Sequence, residues 1–203
     1  YISGGLNHYW GWPIWLSIPA ASLAGAVLGT LALVPCLRLR GVYFAIISFM
    51  LPLFLVSLII ATSILGSTEG ISSLDNLPNI WIEQYLIIGA LLLALFGFRR
   101  LVTEGFGVIL QGIKDNDQAV KASGIDITAY RIKAVFLAAC IGSFCGAYLS
   151  HLYGWLGLSM FAMDFSILPI AATVMGGMGT LAGPVIGAFI LTPLSEGLRG
   201  FGQ

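Results

Sequence analysis

Residues 41–68, GVYFAIISFMLPLFLVSLIIATSILGST, run without one Asp, Glu, Lys or Arg. A helix crosses a hydrocarbon core about 30 Å thick with about 20 apolar residues, so this stretch is long enough to span a bilayer. Pro52 lies inside it and predicts a kink. The same property recurs outward in both directions: windows 1–37, 84–98, 134–163 and 165–195 also lack those four residue types. Hydrophobic residues make up 58% of the chain and charged ones 9%, against about 25% charged in an ordinary soluble domain. Nine basic and nine acidic side chains are too few to cover a water-soluble protein of 203 residues, and the mean hydropathy is +0.97. The composition excludes a soluble domain, a collagen-like chain and a disordered one.

The expected fold is all-α, a single polytopic transmembrane domain over 1–203 with about six membrane segments. They fall at 14–35, 42–65, 85–98, 132–153, 166–181 and 184–198. Trp10, Trp12 and Trp15 suit one interfacial belt, and His151, Tyr153 and Trp155 the other; His8 also reads as interfacial. Segment 85–98 is short, about 21 Å at 1.5 Å per residue, so Glu83 and Arg99 are expected to snorkel or the bilayer to thin. Window 165–195 is too long for one helix. Gly176, Gly177, Gly179, Gly183 and Pro184 interrupt it, which predicts a helix break packed inside protein and away from lipid. Asp164 is expected to cap the helix that precedes the break.

Threading the segments alternately puts Arg38, Arg40, Arg99, Arg100, Lys114, Lys121, Arg131 and Lys133 on one side and only Arg199 on the other. The crowded side is cytoplasmic by the positive-inside rule. The external loop 66–84 then carries Glu69, Asp75 and Glu83 with no basic residue, and no basic surface remains for nucleic acid. The chain starts at Tyr1 without a basic n-region or small-residue cleavage site, so no signal peptide is expected and it reads as part of a longer protein. Cys36, Cys140 and Cys145 lie in or beside apolar runs and read as small hydrophobes, with neither a disulfide nor a metal site expected.

Loop 99–131 is the long polar stretch on the inner side. Phe106, Ile109, Ile113 and Val120 recur at helical spacing, while Gln111, Lys114, Asp115, Gln118 and Lys121 fall on other faces. Asn116 or Asp115 suits the cap of a second short helix that stops at Ser123–Gly124, and Thr128 the cap of the next membrane helix. Asp117 and Lys121 are an acid-before-base pair four apart. Periodicity leaves two readings open: an amphipathic connector in the headgroups, or a docking surface for a soluble partner.

Three strings carry a resemblance. Leu37-Arg38-Leu39-Arg40-Gly41-Val42-Tyr43-Phe44-Ala45-Ile46 resembles the segment that opens a core helix in permease subunits of the branched-chain amino acid ABC importer family. Gly112-Ile113-Lys114-Asp115-Asn116-Asp117-Gln118-Ala119-Val120-Lys121-Ala122-Ser123-Gly124-Ile125 is similar to that family's cytoplasmic motif, with Asp117 where Glu is usual. Gly176-Gly177-Met178-Gly179-Thr180-Leu181-Ala182-Gly183-Pro184-Val185-Ile186-Gly187-Ala188 resembles its glycine-rich C-terminal signature, followed by Leu198-Arg199. The likeness is closer to the M-type permease than to its H-type partner.

The resemblance implies a multi-pass subunit in a bacterial plasma (inner) membrane. It would work with cytoplasmic ATPase subunits, a second permease subunit in a heterodimer and an external substrate-binding protein. Branched-chain amino acids are the implied cargo, with urea and amides carried by relatives. It also implies an ATPase-coupling role for Lys114, Asp115, Asn116, Asp117, Ala119, Lys121, Ser123 and Gly124. The chain has no G-x-x-x-x-G-K-[ST] string, so it is not expected to cradle a nucleotide or need a cofactor; ATP would be bound by the partner chains. No catalytic residues and no metal site are expected. No Asp, Glu, Lys or Arg lies in the middle of a segment, as a weakly contacting path requires and an ion-coupled carrier or channel, the alternative, does not. Tyr43, Ser48, Thr62 and Thr173, with Ser57 and Thr180, are candidates for that path, each set against a hydroxyl satisfied by its own helix.

Overall fold

A computed structural model describes residues 1–39, 42–62, 70–72, 74–75 and 79–201. It divides into two compact units, 1–158 and 159–203. Both are helical. The first contains α1 (Ile2–Trp10), α2 (Ile14–Leu33), α3 (Val42–Thr62), α4 (Ile80–Thr103), α5 (Gly105–Asp115), α6 (Asp117–Ala122) and α7 (Ile127–Tyr153); the second contains α8 (Asp164–Gly176) and α9 (Gly183–Phe201). One small antiparallel pairing joins β1 (Ile71–Ser72) to β2 (Trp155–Leu156), with Ile71 opposite Leu156.

Among the described residues five stretches are long and apolar enough to cross a membrane: Ile14–Leu37, Tyr43–Thr62, Ile80–Thr103, Ile127–Tyr153 and Leu158–Gly176. The expected segment 184–198 corresponds to α9. Segment 85–98 is longer than expected, because α4 begins at Ile80, before Glu83, and continues through Arg99 and Arg100 to Thr103. At 24 residues it measures about 36 Å, so no thinning of the bilayer is needed. Segment 166–181 is shorter, because the chain leaves the helix at Gly177, where φ is 108°. Asp164 does not cap α8; Met163 takes the N-cap place and Asp164 stands in the first turn, where its charge still suits the helix dipole. Residues 63–69, including Glu69, lie outside the described residues, as do Arg40 and Gly41.

α2 and α7 form the centre of the first unit. Lipid tails are as apolar as leucine, so helices in a bilayer associate where small residues let their backbones approach. Gly25 meets Ser143 so closely that an added Cβ would overlap its hydroxyl, and Gly29 lies against Ala139. One turn toward the other end, Ala21 and Ala147 belong to the same buried cluster as Ile14, Ile18 and Tyr148. These pairs define one antiparallel seam, with small residues every fourth position on both helices.

At the end of that seam lies a buried polar cluster. Helix α1 ends at Gly11, in the left-handed conformation at φ 63°, and returns the chain to Pro13, which opens α2. This turn brings Ser3 of α1 and Ser17 of α2 against His151 of α7. The Ser3 hydroxyl is 2.8 Å and the Ser17 hydroxyl 3.4 Å from His151 Nε2, and the Asp75 carbonyl oxygen is 3.0 Å from Nδ1. Asn7 holds the Asp75 segment twice: its Nδ2 donates to Asp75 Oδ2 at 2.9 Å, and its Oδ1 accepts from the Asp75 backbone N–H at 3.1 Å. His151 is fully buried, which corrects its expected interfacial place. A histidine survives inside an apolar core when both ring nitrogens find partners, and here both do.

Candidate functional site

The loop between α4 and α7 folds as two short helices packed on the first turns of α7. Arg100 Nε donates to Glu104 Oε1 at 2.9 Å across the turn that ends α4. α5 then runs with Phe106 stacked on Tyr130 of α7, ring centroids 5.8 Å apart. Ile113 is buried, and Phe106, Ile109 and Val120 are half-buried. The apolar stripe is thus the attachment face. Gln111, Lys114, Asp115, Gln118 and Lys121 are all exposed on the other.

Asn116 separates the two helices. Its side-chain oxygen accepts from the N–H groups of Gln118 and Ala119 at 3.1 and 3.2 Å, capping α6. That settles the choice between Asn116 and Asp115, which occupies the last turn of α5. Ser123 closes α6 by donating to the Ala119 carbonyl at 3.1 Å, and Gly124 turns the chain at φ 78°. A Cβ there would meet nothing within 4 Å, so the constraint is backbone conformation and not space. Asp126, not Thr128, caps α7, accepting from Thr128 and Ala129 N–H at 2.9 and 3.3 Å. The Asp126 carboxylate reaches both donors from a position just outside the helix, whereas Thr128 already lies within its first turn.

Seven of the eight residues assigned to coupling therefore share one exposed, doubly capped ridge: Lys114, Asp115, Asn116, Ala119, Lys121, Ser123 and Gly124. The eighth, Asp117, is half-buried and faces inward, with its Oδ2 3.7 Å from an Arg131 guanidinium nitrogen. That ion pair ties α6 to α7 in addition to the i,i+4 spacing to Lys121 that the sequence offers.

The residues of the expected helix break form a tight hairpin in the second unit. A Cβ on Gly176 would collide with the Gly183 carbonyl, and one on Gly187 with the Ala172 carbonyl. Gly177 and Gly179 have positive φ, and Pro184 occupies the first turn of α9. Thr180 ties the turn, donating to the Gly177 carbonyl and accepting from the Gly183 N–H, both at 3.1 Å.

The serine and threonine hydroxyls offered for the path on α3 and α8 are each bonded within their own helix. On α3, Ser48, Ser57 and Thr62 donate to the carbonyls of Ala45, Leu53 and Leu58 at 2.9, 3.1 and 2.8 Å. On α8, Thr173 donates to the Pro169 carbonyl at 2.7 Å. These hydroxyl protons are spent on their own helices. Ser48 and Thr62 lie on one side of α3, while Tyr43, 72% exposed, sits about 140° around the helix from Ser48 at 100° per residue.

Sequence reasoning missed the His151 cluster and the α2–α7 seam. Both had a signal. Ser3 and Asn7 are four apart on α1, and Ala21, Gly25 and Gly29 repeat the interval that Ala139, Ser143 and Ala147 show on α7.

The whole chain, residues 1–203, matches the family described as "Branched-chain amino acid transport system / permease component". It is 27% identical to the high-affinity branched-chain amino acid transport system permease protein LivM of Salmonella typhimurium, over 98% of this chain and 54% of the relative. A probable branched-chain amino acid transport permease protein LivM of Methanocaldococcus jannaschii is 28% identical over 85% of this chain and 52% of its own length. The nucleoside ABC transporter permease protein NupC of Lactococcus lactis is 27% identical over 80% of this chain and 56% of its own. The chain spans about half the length of these curated relatives. No solved structure matches it. Each relative is named as a transport permease and none as an enzyme. The chain is a multi-pass membrane protein and belongs to the family of permease components of branched-chain amino acid transport systems.

Proposed function

We propose that this chain is part of a membrane-spanning subunit of an ATP-driven importer that carries branched-chain amino acids across a bacterial inner membrane. The observation that supports it most is the exposed ridge 114–124, capped by Asn116 and turned by Gly124, in a chain that the permease family matches from end to end. A polar ridge held on the membrane helices by Ile113, Phe106 and Arg131 suits the groove of a soluble ATPase. In this reading hydrolysis moves the ridge, α7 follows through its first turns, and α2 follows α7 along the small-residue seam. Rigid helices that shift together are a known way to convert a local event into alternating access, provided that the ATPase contacts differ between the two states.

A second permease subunit and an external binding protein complete the proposed complex, and the path takes its polar groups from Tyr43, Ser48, Thr62 and Thr173. The nucleoside permease among the relatives, 27% identical over 80% of this chain, supports a second reading with a nucleoside as cargo. Both are tested in proteoliposomes containing the full-length permease, its partner permease, the ATPases and the binding protein. Leucine uptake that needs ATP and no ion gradient supports the first reading. Uptake of adenosine or uridine without leucine replaces it with the second, and uptake driven by an ion gradient without ATPases rejects both.

A further inference from the structure

α4 closes on the α2–α7 pair at one end and leaves a gap at the other. At the external end Leu86 and Ile87 pack on the cluster of Ile14, Ile18, Ala21, Ala147 and Tyr148. There the Tyr148 hydroxyl donates to the Glu83 carbonyl at 3.2 Å. From Ala90 onward a trough opens. A cavity of about 370 Å³ lies between Ala90, Gly97 and Leu101 of α4 and Leu137 and Phe144 of α7. It adjoins a second, of about 470 Å³, through the shared Leu101 and Leu137, and the second reaches Phe106 and Lys133. A Cβ on Gly97 would meet nothing within 4 Å, in contrast with Gly25 on the closed seam.

The trough is one leaflet deep. Ala90 to Leu101 on α4 covers about 16 Å at 1.5 Å per residue, as does Lys133 to Phe144 on α7. Half of a hydrocarbon core about 30 Å thick is about 15 Å, and a helix that crosses the membrane needs about twice that depth. The walls are apolar, and the Ser22 and Thr30 hydroxyls in them donate to carbonyls of their own helix at 2.7 and 2.6 Å. Among the described lining residues Lys133 is the charged one. It stands exposed at the mouth, on the side that the positive-inside rule makes cytoplasmic, with its ammonium 5.2 Å from the Tyr130 ring centroid. α2 and α7 contain no Asp or Glu. The acidic residues at the adjoining helix ends are engaged: Glu104 by Arg100 at 2.9 Å, and Asp126 by the first N–H groups of α7.

We propose that an anionic phospholipid of the cytoplasmic leaflet occupies this trough, with one acyl chain between α4 and α7 and its phosphate on Lys133. Basic pockets between membrane helices on this side suit anionic headgroups, and the depth of the trough suits a chain that ends at the middle of the bilayer. A zwitterionic head brings an ammonium of its own, which finds the neighbouring carboxylates already held. Phe106 belongs to the same wall, so the lipid lies under the start of α5 and supports the ridge 114–124. The inference is independent of the cargo and of the ATPases.

The test is native mass spectrometry of the full-length permease with its partner subunits, reconstituted in vesicles of equal parts phosphatidylglycerol and phosphatidylcholine and released in mild detergent. The unaltered protein is expected to retain phosphatidylglycerol in preference. Lys133→Gln is expected to lower the ratio of retained phosphatidylglycerol to phosphatidylcholine about fivefold, the effect of one basic residue at a membrane surface. Gly97→Leu and, independently, Ala94→Leu fill the trough, and each is expected to remove retained lipid while the complex still elutes as a folded species. Phe96→Leu, at an exposed position on another face of α4, is expected to change nothing. Lipid retention that neither trough-filling variant lowers overturns the inference, as does an unchanged lipid ratio in Lys133→Gln. So does an unaltered protein that holds no lipid while both trough-filling variants fail to fold, since protein then fills the space.

Discussion

His151 on α7 and Ser3 on α1 meet at 2.8 Å between Nε2 and Oγ, with both side chains shut off from solvent. The other ring nitrogen faces the Asp75 carbonyl oxygen, which has no proton to give. Nδ1 therefore carries the hydrogen and Nε2 accepts from Ser3. Replacing His151 by Phe keeps a planar ring but removes both ring-nitrogen bonds and leaves the buried Ser3 hydroxyl without its shortest partner. A buried polar group left without a partner costs about 1–3 kcal/mol. The purified complex of the His151→Phe variant is expected to unfold several degrees earlier, and an unchanged melting temperature would contradict this role.

The seam between α2 and α7 gives a prediction with a built-in rescue. Gly25→Ala drives a methyl group into Ser143, and overpacking of this kind costs about 1–3 kcal/mol. Ser143→Gly in the same chain removes the obstacle and restores most of the lost thermal stability. If the two substitutions simply add, the helices do not meet where the seam places them.

The hairpin of the second unit behaves differently. A Cβ on Gly187 meets the backbone carbonyl of Ala172, which no side-chain change can withdraw. Gly187→Ala is expected to reduce the yield of folded complex sharply, and substitutions at position 172 are expected not to rescue it. Size-exclusion profiles of the detergent-solubilised complex check both statements.

Gly124 is a test of conformation. Its φ of 78° costs an L-residue about 1–2 kcal/mol, and a β-branched one suffers most. Gly124→Val is expected to lower transport per ATP hydrolysed, whereas Gly124→Asn, which tolerates the left-handed region, retains most of it. Equal coupling ratios for the two variants would show that the turn is not needed.

Much of this architecture could be read in the residues. Charge-free windows mark the long helices because a bilayer core tolerates few ionised groups, and the alternation of Phe106, Ile109 and Ile113 with Gln111 and Lys114 marks the attachment face of α5. Asn116 and Gly124 announce themselves, since few other residues perform their tasks. What escaped reading depends on partners distant in the chain. His151 sits between aromatic and polar residues near a helix end, as interfacial histidines do. Only the fold reveals that Ser3, Ser17 and Asp75 reach it from 148, 134 and 76 positions away. The ends of α4 differ from the charge-free window for a local reason: Glu83 on one side and Arg99 and Arg100 on the other close the window without ending the helix. Arginine has good helix propensity and a long stem that carries its charge to the surface. Thr128 suits a helix cap by residue type, but α7 already begins at Ile127, so Asp126 takes the cap instead.

The central claim is that the polar face of 114–124 lies in the cytoplasm and is gripped by the ATPase. It is tested most directly with Ala119→Cys, at an exposed position, in the full-length permease with Cys36, Cys140 and Cys145 replaced by serine. A membrane-impermeant maleimide is expected to label this variant in inside-out vesicles and not in right-side-out ones, and added ATPase subunits are expected to block the labelling. Labelling from the outer face, or labelling that the ATPases leave untouched, would contradict the account.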